Sequence, residues 1–187
     1  MKGIVFSEFL EMVEETYSPE VADRIITEAN LESEGAYTTV GTYPHSEMIA
    51  LVSQLAKVAG TDTSELLRAF GRRLFGRFSE LYPMFFSDIG DTFAFLETID
   101  SHVHVEVRKL YPDAELPRFT CTRPAAGQLV MNYASRRPFS DLAHGLIEGA
   151  RTHWKEDIHI GRDDSKSQED DVVLFQTRFT LTLNQAE

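Results

Sequence analysis

The chain has 187 residues, 42% hydrophobic and 11% aromatic, with a formal charge of −12 and one cysteine. That length and apolar content suit a single globular domain able to bury a core or a cofactor, and the acidic excess disfavours nucleic acid and anionic membrane surfaces as partners. The lone Cys121 leaves no intramolecular disulfide framework, and no apolar run forms a signal peptide or a membrane span, so a soluble cytoplasmic protein is expected.

Helical signals dominate the first two thirds. Val5, Phe9, Leu10 and Val13 recur at helical spacing. Ser18-Pro19-Glu20 reads as an N-cap, a proline at the first helical position and an acid in the first turn, opening a short helix with Val21, Ile25 and Ile26. Residues 31–43, with Gly35 and Gly41, are expected as a loop. A third helix carries Met48, Leu51, Val52 and Leu55 and stops at Gly60. Asp62 or Thr63 caps a fourth, with Leu66, Leu67, Phe70, Leu74, Phe78 and Leu81 before Pro83. Its Arg68, Arg72, Arg73 and Arg77 read as a solvated face. Residues 1–60 hold ten Asp/Glu against Lys2, Arg24 and Lys57, either a solubilising surface or a docking surface for a basic partner. A longer helix is predicted over 91–110, its apolar stripe being Leu96, Ile99, Val103, Val107 and Leu110.

After Pro112 the period changes to two. Phe119, Cys121 and Arg123 alternate, residues 124–127 read as a turn, and Leu129-Val130-Met131 completes a hairpin. Pro138 opens a helix bearing Leu142, Leu146, Ile147 and Ala150. Ile158, Ile160 and then Val172 to Leu183 supply further strands, with Gly161 to Asp171 expected between them as a polar, mobile loop. The predicted class is α+β: a helical N-terminal lobe packed on a C-terminal lobe of antiparallel sheet plus helices.

One triplet carries chemistry. In an extended segment Tyr133, Ser135 and Arg137 project from one face, offering hydroxyl donors and a planar cationic fork to a carboxylate or phosphate. Upstream lies His104, six residues before Tyr111-Pro112. A histidine and a carboxylate clamp together meet the needs of a buried haem, an iron ligand and a grip for the propionates. His102 and His104 lie roughly 200° apart around a helix, so only one can face a common pocket. Helical periodicity does not choose between them. His104 is mildly favoured by Phe93 and Tyr111 on its flank, where His102 has Phe95 but also Glu106 and Lys109. His45, His144, His153 and His159 read as surface residues.

The chain resembles the H-NOX family, the haem nitric oxide/oxygen binding domains related to the sensor region of soluble guanylate cyclase. The residues that carry the resemblance are Met1-Lys2-Gly3-Ile4-Val5, Phe78-Ser79-Glu80 with Pro83, His104 through Pro112, Pro117-Arg118-Phe119 and Tyr133 through Arg137, in the family's order. The resemblance implies one H-NOX-like domain over 1–187, with a helical subdomain over about 1–60, an α/β subdomain over about 61–187, and haem b buried between lobes. It settles the histidine: His104 is the implied iron ligand, with Tyr133, Ser135 and Arg137 on the propionates and Pro117 pressing on the porphyrin. Val5, Phe9, Leu74, Phe78 and Leu142 are implied to line the haem. In oxygen-binding relatives a tyrosine stands where this chain has Leu142, and their supporting polar pair corresponds to Phe9 and Leu74. A dry distal side implies binding of nitric oxide and carbon monoxide with oxygen excluded. Some bacterial relatives carry a zinc site of several cysteines near the C-terminus; this chain departs from that pattern, and no zinc is expected.

No nucleophile elbow or Gly-rich phosphate loop is present, so no enzyme is expected. By analogy with standalone bacterial relatives, nitric oxide is expected to break the link between iron and His104 and thereby regulate a separate histidine kinase or cyclic-di-GMP enzyme. The rival readings are a haem-free interaction module that keeps the fold, and a haem storage or redox protein.

Overall fold

Four helices fill the first eighty residues of the computed structural model, which describes residues 1–169 and 172–184. They are α1 (Gly3–Thr16), α2 (Pro19–Ala29), α3 (His45–Ala59) and α4 (Thr63–Leu81). The expected punctuation holds: the Ser18 hydroxyl accepts from the Val21 N–H, Asp62 accepts from the Ser64 N–H, and Gly60 ends α3 in the left-handed conformation. Their apolar faces close on one core containing Phe6, Phe9, Ile25, Met48, Leu51, Leu55 and Phe70, all fully buried. Burying an aliphatic or phenyl side chain of this kind contributes about 1.5–3 kcal/mol.

The chain then runs through α5 (Thr92–Thr98), a π-helical turn (Ile99–Val103), α6 (His104–Leu110), β1 (Arg118–Thr122), β2 (Gln128–Ser135), α7 (Ser140–His153), β3 (Ile158–Glu169) and β4 (Val172–Leu183). The sheet is antiparallel throughout, in the order β1-β2-β4-β3. The fold class is therefore α+β, as predicted. Leu129, Met131, Tyr133, Phe179 and Leu181 from the sheet meet Phe93, Phe95, Leu96, Ala143 and Ile147 from α5 and α7 in a second core.

Four readings are corrected. Residues 161–169, expected within a loop, continue β3; the remaining Asp170 and Asp171 lie outside the described residues. The long partner β4 needs its backbone groups paired along its length, and a polar strand meets that need as well as an apolar one. The predicted helix over 91–110 is interrupted by the π turn, where the His104 N–H donates to the Ile99 carbonyl five residues back. One extra residue in a turn rotates everything after it by about 100°. Leu110, expected on the stripe, is consequently 69% exposed. The arginines of α4 are not a purely solvated face: Arg68 and Arg72 pair with Glu148 on α7, Arg73 with Glu11 and Glu15, and Arg77 with Glu8 on α1. The carboxylates sit on neighbouring helices, which a single-helix projection cannot see. Finally, His144, read as surface, is buried against Phe179, with Glu148 beneath it.

Helices α4 and α7 join the two cores. Leu66, Phe70 and Leu74 of α4 belong to the first and Phe75 to the second, while Leu142 and Ile147 of α7 divide in the same way. Their backbones approach so closely that a Cβ on Gly145 would lie 2.1 Å from the Arg68 carbonyl oxygen. Gly145→Ala is therefore expected to lower stability by about 1–3 kcal/mol in urea unfolding. Gly76→Ala on the same α4, where a Cβ meets nothing within 4 Å, is expected to raise it by up to about 1 kcal/mol.

Candidate functional site

The π turn gives the two histidines different surroundings. Rotating the predicted stripe by one residue moves its inward position from Val103 to His104. The His104 side chain is 11% exposed, whereas His102 is exposed and packs only on Phe85. Asp100, one turn earlier, lies 3.3 Å from His104 Nδ1. An imidazole held at Nδ1 keeps Nε2 as its lone-pair nitrogen. Burial lowers the pKa of His104, partly opposed by Asp100, so the ring is neutral and fit for metal ligation at pH 7. Its ring also packs against Phe119 of β1, 5.7 Å between centroids.

Phe119 leads directly to the triplet. It stands opposite Tyr133 in the β1–β2 register, their rings 5.5 Å apart. Tyr133 and Ser135 share one face of β2, as expected, but the strand ends at Ser135 and a bend places Arg137. The three side chains still form a unit. The Tyr133 hydroxyl donates to the Arg137 carbonyl at 3.2 Å, and the Arg137 N–H donates to the Ser135 hydroxyl at 3.0 Å. The Arg137 guanidinium donates to the Glu115 carboxylate at 2.6 Å, which holds that carboxyl below its ordinary range. This contact demonstrates the chemistry of the fork: it takes a carboxylate. Pro117, half-buried, lies two residues beyond Glu115 at the entrance to β1.

The amino terminus adds an unforeseen amine beside the triplet. Met1 donates from its α-amine to the Tyr43 carbonyl at 2.6 Å, and Lys2 bridges Thr42 and Asp113. Gly3 is dictated by space, since a Cβ there would overlap the Thr38 carbonyl oxygen at 1.8 Å. Burial, and then Arg137, push the Met1 amine down to about 6.

The apolar set is assembled as well. Phe9 meets Phe70 edge to face at 5.2 Å, and Leu74 and Leu142 are buried in the same cluster, with Val5 and Phe78 packed against it. A hydrogen-bond donor is missing from Phe9, Leu74, Phe78 and Leu142 alike. Asp100 was legible as an i, i+4 partner of His104; Glu115, in a segment without helix or strand, carried no such signal. Cys121 is half-buried and its thiol is pushed up to about 11 by burial, so it is chemically quiet. Among the described residues no cluster of three or more His, Cys, Asp or Glu could hold a metal ion, and no helix is long and apolar enough to cross a membrane.

A family model described as Haem-NO-binding matches residues 2–162. Among solved structures, the chain is similar to an Fe(II) unliganded H-NOX protein from K. algicida, with 36% identity and a TM-score of 0.88 over 100% of this chain and 98% of that one. It also shares its fold with an H-NOX protein from S. oneidensis in the Fe(II)NO ligation state, at 23% identity and a TM-score of 0.86, covering 99% of this chain and 100% of that one. A mutant of the T. tengcongensis H-NOX protein matches at 23% identity and 0.87, over 99% and 98% of the two chains.

The Met1 amine gives the site a pH signature. Its folded pKa, about 6, lies below the ordinary 8.0, so between those values the unfolded chain binds more protons and stability rises with pH. Allowing for solvent screening of a partly exposed group, the gain from pH 6 to 8 is about 1 kcal/mol. Acylation of the amino terminus in the folded protein is expected to titrate with a midpoint near 6; a midpoint near 8 refutes the assignment.

Proposed function

The chain belongs to the Haem-NO-binding family, and we propose that it is a ferrous-haem sensor of nitric oxide and carbon monoxide that excludes oxygen and regulates a separate signalling protein. The observation that carries this reading is the continuous path from the neutral, half-tethered His104 through Phe119 to the Tyr133–Ser135–Arg137 unit. An iron ligand and a carboxylate grip stand at its two ends. The residues fit the group: a lone-pair nitrogen for the metal, a guanidinium already engaged by a carboxylate, and apolar side chains for the macrocycle.

In this reading His104 would bind the iron of haem b, and Tyr133, Ser135 and Arg137 would hold its propionates. Pro117 would press on the porphyrin, and Val5, Phe9, Leu74, Phe78 and Leu142 would line the haem. The whole chain acts as one domain, with a helical subdomain over about 1–60 and a haem-anchoring subdomain over about 61–187. When bound, the haem would supply a ferrous iron able to take a diatomic gas. The chain's residues do the rest. A pocket side without donors gives no stabilisation to the partial negative charge of bound oxygen, so Leu142, Leu74 and Phe9 act by omission. His104 supplies the tether for α6. No residue of α6 is fully buried, so packing holds that helix lightly and the tether matters. A gas that leaves His104 attached cannot shift the equilibrium as far as one that releases it. The output would pass to a histidine kinase or cyclic-di-GMP enzyme, in keeping with standalone relatives; nucleic acid and membranes are not partners in this reading.

Absorption spectra test the proposal. The ferrous protein is expected to show a haem spectrum that changes with nitric oxide and with carbon monoxide and is unaltered by air. A long-lived oxygen complex refutes the selectivity, and a colourless protein favours a haem-free module. His104→Gly is expected to lose the axial ligand and regain it with imidazole, while His102→Ala keeps a near-native spectrum. Arg137→Ala is expected to weaken haem retention by about 1.5–3 kcal/mol, more than Ser135→Ala.

A further inference from the structure

The segment between α6 and β1 approaches the carboxylate-binding unit with a carboxylate of its own. Glu115 accepts from the Arg137 guanidinium at 2.6 Å, and the two ends of this pair are unequal. Arg137 is 16% exposed and fixed through its backbone on both sides, by Ser135 at its N–H and by Tyr133 at its carbonyl. Glu115 is 69% exposed and belongs to neither helix nor strand. The backbone of Arg137 therefore keeps its place whatever the guanidinium binds, and the exposed Glu115 is the partner that can leave. We propose that Glu115 is an internal competitor for Arg137, which the carboxylates of a bound tetrapyrrole must displace, and that it sets how tightly the site holds its ligand. This rests on the reading of the triplet as a propionate grip and adds a residue to it.

Two physical points decide the direction. A guanidinium has a finite set of donors, and the Nη2 group engaged by Glu115 is withdrawn from an incoming carboxylate. Glu115 also places a negative charge where negative charges must arrive, beside the Arg137 guanidinium. Displacing it costs little, because exposed ion pairs are weak and screened by salt. Competition rather than support is the outcome those terms favour. The effect is correspondingly modest, a factor of about two to five, the range of one exposed pair.

Protoporphyrin IX isolates the effect. It carries the same two carboxylates without iron, so its binding to the full chain does not depend on His104, and its dimethyl ester lacks the charges. In fluorescence titrations at low salt, Glu115→Gln is expected to tighten protoporphyrin IX binding about two- to fivefold and to leave the diester unchanged. Glu115→Asp should bind as the wild type does. In an Arg137→Ala background the effect of Glu115→Gln is expected to vanish, since a competitor is harmless once its target is gone. Weaker binding by Glu115→Gln, no change, or an equal change in both backgrounds overturns the proposal, the first meaning that Glu115 supports Arg137. Failure of the wild type to bind protoporphyrin IX at all overturns it too, together with the propionate reading beneath it.

Discussion

The close approach of α4 and α7 is the constraint on which the rest of this molecule depends. Neither helix belongs to one lobe alone. Each contributes to both cores, so the helical layer and the sheet are held in fixed relation by a single helix pair. Gly71 and Gly145 let the backbones meet, with no room for a Cβ at either position. Ion pairs then fix the rotation about the contact, because Arg68 and Arg72 reach across to Glu148. Burial works against the charge of that carboxyl, but the two guanidiniums hold its pKa down, so the pairing wins over desolvation. Leu74, Phe78 and Leu142 are positioned by this crossing, and the apolar side of the site is thus a by-product of the packing that holds the lobes together.

Much of the fold was legible because its local signals agree with its tertiary contacts. Ser18, Gly60 and Asp62 act where their chemistry predicted, and the period-two run after Pro112 became a hairpin. The failures are of two physical kinds. Backbone pairing overrode side-chain polarity in β3, since a strand can be polar on every residue if a neighbour needs its hydrogen bonds. The π turn broke the assumption of constant helical period, and this explains why periodicity alone could not separate His102 from His104. With 3.6 residues per turn both flank the stripe equally; with one residue inserted, His104 falls on it.

The polar part of the site was legible in its residue types and not in its geometry. Tyr133-x-Ser135-x-Arg137 suggested three side chains on one strand face, but only two are on the strand. Tyr133 donates its hydroxyl to the backbone of Arg137 and Ser135 accepts from it, which makes the two residues the frame of that position. Tyr133 is 3% exposed, and burial raises its pKa, so its phenol stays a proton donor across the physiological range. The arrangement concentrates mobility on the other partner. Beside the tied backbone of Arg137, Glu115 is the exposed partner.

That distribution of rigidity bears on how a change at His104 could reach the surface. The chain that leaves α6 passes Asp113 and Glu115 before Pro117 and β1. Asp113 is tied to Lys2 and Thr42 beside α1, and Glu115 to Arg137 beside β2. Lys2 also lies over the Tyr111 ring at 4.4 Å. Within five residues, therefore, the segment touches the helical layer, the carboxylate grip and the end of the histidine helix. Each contact is exposed on at least one side and weakened by solvent screening, so none could hold a strained helix alone. The buried anchor in this region is His104 itself, with Asp100 and Phe119 around it. A structure with one firm anchor and several weak ties has a defined order of release. Loosening the anchor moves the balance by more than any surface pair can restore, whereas loosening a surface pair leaves the anchor to hold the helix in place. On the proposed reading, in which His104 binds the iron, the histidine is the point at which chemistry on a ligand would change the position of the segment linking both lobes.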